Sequence, residues 1–463
     1  LGHLPYLTFW DHKPPGSTLM IAAAMALFGQ SIEVVRALGL ACAVGTAWAL
    51  YLIARRVWPD RLVALGAAAL YVAYSVRMCG SATIMEILLA PFTAGGVLLL
   101  LLTASPAGAR RAAPLFAAAG LAFGAAVWIK YVPAVPAALT GGFALLALLL
   151  RREPGGLARA LGCAALFGLG LLLPTAAGVG LYWWAGALDA FWHANFGFAA
   201  AYVETADTPR GLAFQAVRWG SLAVLQIWPL MLAAAASFLP GCRRSLSAQG
   251  RSSAFTLVGL WLAGEGLAVA AQMKFYDYQF LTTVPPMCVL AAVAVRFHLA
   301  RLVVPPMAAR AAALVIGLMA LAPVLHHGRA VAAALSREDV PRAIARALAE
   351  AMRPGDRVYV VNHEPVIYFL AGAALPTRYA FPISLLGPHQ ALLDVDTEEE
   401  NRRVLEAAPR FVVMNTSWRD DPIAWHLPSM ALIEDTLARR YAPLASWVQA
   451  ESKGTVRVFV RRD

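Results

Sequence analysis

Phe9-Trp10-Asp11-His12-Lys13-Pro14-Pro15-Gly16 sets an acid, an imidazole and an ammonium group side by side, just ahead of a chain that otherwise reads as lipid-soluble. Two consecutive prolines fix φ and disfavour helix at the residue before them. The charged trio is therefore expected on a non-helical turn at the edge of a membrane domain. Held there, it is read as a site for an anionic lipid headgroup.

Composition agrees with a membrane setting. Of 463 residues, 60% are hydrophobic and 14% charged, against about 25% charged in an ordinary soluble protein. The mean hydropathy is +0.63. A net charge of +11 does not call for nucleic acid here, because arginines accumulate in the cytoplasmic loops of membrane proteins. The five cysteines, Cys42, Cys79, Cys163, Cys242 and Cys288, show no CxxC spacing and read as buried apolar thiols.

Residues 17–29 are apolar but short, and suit an interfacial helix. Candidate spans follow at 33–56, 62–79, 83–103, 113–130, 132–150, 160–181, 214–239, 254–272, 280–298 and 311–325, each near the ~20 residues a crossing needs. The arginines test this parsing. Arg55, Arg56 and Arg61 share one loop. Arg110 and Arg111 come two spans later, followed by Arg151, Arg152 and Arg159, then Arg243, Arg244 and Arg251, then Arg301 and Arg310. Every second loop is basic, which the positive-inside rule assigns to the cytoplasm. Residues 1–32, 79–83, the Lys130-Tyr131 turn, 182–213, 273–279 and everything after about 326 are then expected outside.

After His326-His327 the composition turns acidic and turn-rich. Helices are expected at 340–352, 365–372, 399–408 and 429–440, and strands at 357–361, 409–414, 444–449 and 455–461. This alternation describes a small α/β domain. The expected architecture is an all-α polytopic membrane domain, residues 1–325, with a C-terminal extracytoplasmic α/β domain, residues 326–463.

The unusual polar residues of the membrane part fall on the expected outer side. They are Asp11, His12 and Lys13, Glu86 near the start of a span, Lys130 at the end of another, Trp183, Trp184, Trp192, His193 and Asn195, and Lys274, Tyr276, Asp277 and Tyr278. A carboxylate in a bilayer is costly and functional by default. Lysines at headgroup level suit a phosphate, and interfacial aromatics suit a lipid or a sugar face. Each has a structural alternative: snorkelling for Lys13 and Lys130, an interfacial belt for the tryptophans, and a satisfied interfacial role for His193. Glu33 and Arg36, three apart, read as a surface helix pair. Glu265, with no partner visible, reads as structural, and Asn362-His363-Glu364, after a strand, as a loop cap.

Leu4-Pro5-Tyr6 with Phe9 to Gly16 resembles the first-loop signature of the GT-C superfamily. The branch it is most similar to is the bacterial one (family 39-like), related to dolichyl-phosphate-mannose protein mannosyltransferases and to the lipid A aminoarabinose transferase. Val35-Arg36-Ala37-Leu38, Glu86, Gly120–Lys130, Gly186-Ala187-Leu188-Asp189 with Phe191-Trp192, and Lys274–Pro286 extend the resemblance over residues 1–325, with about ten transmembrane helices. It implies a transferase that uses a polyprenyl (undecaprenyl) phosphate-linked sugar at the extracytoplasmic face of a bacterial inner membrane. The acceptor would be a lipid, glycan or protein.

By the same resemblance Lys13 holds the lipid phosphate, with Lys130 and Lys274 assisting. Glu86, with Asp11 second, is the catalytic acid/base or acceptor-orienting group. His12, Trp183, His193, Tyr276 and Tyr278 contact sugar or lipid. No cofactor is certain. A divalent metal is left open, with His12 and Glu86 its weak candidates, since a catalytic zinc usually has three protein ligands. Two departures stand out. The family's principal acid lies upstream of the Leu-Pro-Tyr element, where this chain begins, so its first transmembrane helix is expected to be missing. The family's His or Arg near Tyr278-Gln279 is also absent. A transporter or flippase, and an inactive membrane scaffold, remain the alternatives.

Overall fold

The computed structural model describes residues 4–151, 155–198, 201, 209–301, 325–333, 336, 338–388, 390–420, 423, 425–449 and 454–462. The chain divides into two compact units. One takes Lys13–Gly186 and Ala206–Ala330; the other takes Gly2–His12, Ala187–Thr205 and Val331–Asp463. The C-terminal unit thus draws in two stretches of the N-terminal part, which a simple division at residue 325 does not include.

The first unit is helical. Its main helices are α1 (Gly16–Phe28), α2 (Ile32–Val57), α3 (Arg61–Ser75), α4 (Met85–Leu102), α5 (Ala112–Ile129), α6 (Ala134–Leu149), α7 (Gly156–Trp184), α8 (Pro209–Ala236), α9 (Ser252–Ala271) and α10 (Val284–Leu299). Among the described residues, eight helices are long and apolar enough to cross a membrane. The chain is a multi-pass membrane protein. α1 and α6 are shorter apolar helices; the 16 residues of α6 rise only about 24 Å. The expected span at 311–325 lies, apart from Leu325, outside the described residues.

Lipid is as apolar as leucine, so packing between such helices relies on close backbone approach. Gly120 and Gly124 supply it on α5: a Cβ there would stand 2.1 Å from the Phe167 carbonyl oxygen and 2.6 Å from that of Leu171 on α7. On α4, a Cβ at Gly96 would meet the Phe123 ring at 2.6 Å. α4, α5 and α7 are held together by these contacts.

The basic loops meet at one end of this unit. Arg251 donates to the Arg56 carbonyl at 3.1 Å, and Arg151 to the Thr103 and Ala104 carbonyls at 3.0 Å. Arg296 pairs with Asp60 at 2.7 Å, a hydrogen bond that holds the Asp60 carboxyl below its usual range. The Arg151 and Arg251 guanidinium groups satisfy carbonyls at helix C-terminal ends that have no partner within their own helix. The alternation of arginines along the sequence corresponds to alternating helix direction.

The second unit carries a four-stranded sheet in the order β1-β2-β4-β3, with β1 Val358–Val360, β2 Phe411–Asn415, β3 Tyr441–Val448 and β4 Thr455–Arg461. β1 and β2 are parallel, and β4 joins β2 antiparallel as the second strand of a hairpin with β3. β1 and β2 are buried along their whole length, as expected of parallel strands covered on both faces. Helix α11 (Val340–Ala351) packs Ile344 and Leu348 against Val358, Val360 and Phe411. Helices α12 (Thr397–Glu406) and α13 (Leu427–Arg440) pack Val404, Leu405, Met430 and Ile433 with Tyr359 and Val412. The expected C-terminal helices and strands are all present, with ends that coincide or shift by up to three residues. Asn362 and Asn415 clamp the strand ends through two reciprocal hydrogen bonds of 2.8 and 3.0 Å, a structural role for the Asn362-His363-Glu364 turn.

His363, beside that clamp, is 8% exposed, and its Nε2 has no hydrogen-bond partner. Burial pushes its imidazole down to about 4. The folded state therefore binds fewer protons than the unfolded chain between pH 6.5 and 4. The contribution of this one group to stability is fully present above pH 6.5 and is lost as the pH drops toward 4, by up to about 3 kcal/mol. Thermal unfolding followed by tryptophan fluorescence across this range should show the protein losing stability relative to His363→Gln as the pH falls from 6.5 to 4; a constant difference between the two would contradict this.

Candidate functional site

The site forms at the bundle end opposite the arginine-rich loops. After α3 the chain turns at Cys79, which takes a left-handed φ of 61°. The Gly80 amide then donates back to the Ser75 carbonyl at 2.9 Å. Thr83 Oγ1 donates to the Val35 carbonyl at 3.1 Å, and Gly39 leaves room for it, since a Cβ there would lie 2.4 Å from that oxygen. This fixes the start of α4 and places Glu86 in its first turn, where the helix dipole favours an anion. Lys130 is the C-cap of α5, where the dipole favours a cation.

The close approach of α4 and α5 brings the two together. Lys130 Nζ donates to Glu86 Oε1 at 2.6 Å, with side-chain exposures of only 15% and 3%. Nζ also lies 5.8 Å from the centre of the Tyr278 ring, within cation–π reach. Tyr276 stacks on Tyr278 at 5.7 Å. Asp277 Oδ1 accepts the Tyr278 amide at 2.8 Å. Partial desolvation and the nearby Asp277 and Glu86 carboxylates push the Cys79 thiol up, although the residue as a whole is exposed. Cys79 is also the exposed cysteine among the five, whereas the other four are buried apolar thiols.

The Pro-Pro turn reaches the same end. Gly16, the first residue of α1, packs on the end of α5 so closely that a Cβ would stand 2.3 Å from the Trp128 carbonyl oxygen. Lys13 lies three residues before Gly16 and Lys130 two after Trp128. Lys13 is half-buried, as is Lys274, which stands between Met273 and Phe275, both with left-handed φ of 56° and 55°.

Asp11, His12 and His193 belong to the second unit. Asp11 Oδ1 accepts the His12 amide at 2.7 Å and lies 3.7 Å from His12 Nδ1. The His12 ring is 5.0 Å from Phe198 and 5.8 Å from Trp10. Trp10 is itself built into the α/β unit: its amide donates to the Arg378 carbonyl at 2.7 Å, and its ring meets Phe198 and Tyr379. His193 sits in a π-helical turn with its Nε2 buried and without a hydrogen-bond partner. Trp183, at the end of α7, is 72% exposed.

Sequence reading missed a polar cluster in the second unit. Tyr379 donates to Asp394 at 2.7 Å and Arg378 does so at 3.0 Å. Burial raises the Asp394 carboxyl, but the Tyr379 and Arg378 hydrogen bonds and charge outweigh it and hold it below its usual range. It lies in an irregular loop with no periodic signal. Glu265 does have a partner, the Trp261 indole N–H at 2.9 Å; the spacing of four along one helix was the visible signal. Among the described residues, no three His, Cys, Asp or Glu side chains converge as metal ligands would.

Residues 12–175 match the family model described as dolichyl-phosphate-mannose-protein mannosyltransferase. The fold matches ArnT from Cupriavidus metallidurans bound to undecaprenyl phosphate, with a TM-score of 0.56 at 17% identity, over 98% of this chain and 89% of that one. It also matches the oligosaccharyltransferase AglB from Archaeoglobus fulgidus in complex with an inhibitory peptide and a dolichol-phosphate, with a TM-score of 0.53 at 14% identity, over 98% and 67% of the two chains. No curated protein sequence matches the chain. The chain is thus a polytopic membrane protein with the GT-C fold and a C-terminal α/β domain. Within that class it is similar to the protein mannosyltransferases over its first helices and to ArnT along nearly its whole length.

Removing one member of a buried ion pair leaves the other charge uncompensated, at a cost of about 3–5 kcal/mol. Glu86→Gln and Lys130→Met should each lower stability by roughly that amount, and the double variant should recover part of the loss. Thermal unfolding in detergent checks this; additive losses would show that the pair is not coupled.

Proposed function

We propose that the protein is an integral-membrane glycosyltransferase. It moves a sugar from a polyprenyl-phosphate-linked donor to a lipid, glycan or protein acceptor at the extracytoplasmic face of a bacterial inner membrane. One observation carries the reading: a buried carboxylate–ammonium pair beside stacked tyrosines, at the bundle end opposite the arginine loops, in a GT-C fold. ArnT bound to undecaprenyl phosphate and AglB with a dolichol-phosphate support the donor class. The arginine-rich loops support a cytoplasmic location for the other end, and hence an extracytoplasmic α/β domain.

In this reading an acceptor oxygen attacks the anomeric carbon of the sugar. The bond from that carbon to the phosphate oxygen breaks, and the electron pair leaves with the lipid phosphate. Lys13 holds that phosphate, assisted by Lys130 and Lys274, and their charge stabilises what develops on the leaving group. Lys130 carries three N–H donors. Glu86 takes one and so fixes the direction of the others. Glu86 is the leading candidate to accept the acceptor proton or to orient the acceptor. Tyr276 and Tyr278 offer aromatic faces to sugar or lipid, with Trp183 as a further contact.

The test is transfer from defined polyprenyl-phosphate sugars by the protein in proteoliposomes, with products scored by mass. Lys13→Ala should lower transfer by about a hundredfold or more while leaving membrane insertion intact. Normal turnover by that variant would overturn the donor-site assignment. Solute uptake without any sugar transferred would favour a transporter.

A further inference from the structure

The arginine end of the membrane unit holds a feature that sugar transfer does not use. A cavity of about 630 Å³ opens there between the ends of α2, α4, α6 and α9. Arg56, Arg151 and Arg251 line it, and its walls are apolar, with Leu100, Phe143 and Leu257 among them. A second hollow of about 530 Å³ shares Arg56 and Ser105 with the first and adds Arg110 and Arg111. Five arginines therefore face two adjoining hollows, and no described carboxylate lines either one.

Two of these side chains are held in place by the backbone. Arg151 is fixed by the Thr103 and Ala104 carbonyls and Arg251 by the Arg56 carbonyl. A guanidinium has five N–H donors, so each retains donors for an incoming anion. Arg56, Arg110 and Arg111 are exposed. Leu146 and Leu150, which also line the larger cavity, are 51% and 64% exposed. Its apolar wall thus continues onto the outer face of α6.

We propose that this end of the bundle is a binding site for an anionic glycerophospholipid. The phosphodiester is held by Arg56, Arg151 and Arg251, with Arg110 adding positive charge from the adjoining hollow, and an acyl chain runs along the apolar wall past Leu146 and Leu150. Basic pockets between membrane helices take anionic lipid headgroups in this way. The apolar wall favours a lipid over a free phosphate, which has nothing to place against Leu100, Phe143 and Leu257.

The test is native mass spectrometry of the detergent-purified protein with phosphatidylglycerol, phosphatidylcholine or inorganic phosphate. Phosphatidylglycerol should bind saturably and in preference to the other two. Arg56→Gln with Arg110→Gln should weaken it about thirtyfold, the loss expected for two arginines near an anionic surface. Ala147→Trp, which fills the apolar part of the cavity, should also weaken it. Arg243→Gln with Arg244→Gln removes the same charge outside these hollows and should leave binding unchanged. Equal loss in that control would mean general attraction to basic loops and overturn the proposal. So would equal binding of phosphatidylcholine, or phosphate binding as strong as that of the lipid and indifferent to Ala147→Trp.

Discussion

A carboxylate at the start of α4 meets an ammonium group at the end of α5, and most of the architecture of that bundle end follows from their pairing. Neither charge is tolerable alone at 3% and 15% exposure. Each sits at the helix terminus whose partial charge opposes its own. Their 2.6 Å contact requires α4 and α5 to lie close, which Gly96 permits against the Phe123 ring. The glycines of α5 against α7 then hold that pair of helices in place. Tyr278 and its stacked neighbour Tyr276 complete the surroundings of the ammonium group.

The Asp11-His12-Lys13 trio is divided between the two units. Trp10 is part of the core of the α/β unit, and Asp11 and His12 go with it. Lys13 goes with the helices, where Gly16 sits against the end of α5. The chain therefore passes from one unit to the other between His12 and Lys13. Residues 187–205 are likewise shared out to the α/β unit, where Phe198 packs on Trp10.

Much of this was legible in the sequence. Long apolar runs announce membrane helices because lipid imposes both length and composition, and the alternating arginines give their direction. The C-terminal helices and strands stood out by their turn signals and by the alternation of helix with buried strand. What stayed hidden depends on distance along the chain. Glu86 and Lys130 are 44 residues apart, and no local pattern pairs them. The same holds for the docking of Trp10 on Arg378 and for the Tyr379–Arg378–Asp394 cluster. Glycines that permit helix contact look, in sequence, like any others in an apolar helix.

The most direct measurement is the position of a polyprenyl phosphate bound to the protein in a lipid nanodisc, determined by electron cryomicroscopy. The account predicts the phosphorus atom beside the ammonium groups of Lys13 and Lys130, next to Tyr278. A phosphate seated elsewhere, with Lys13 and Lys130 both making no contact to it, would contradict it.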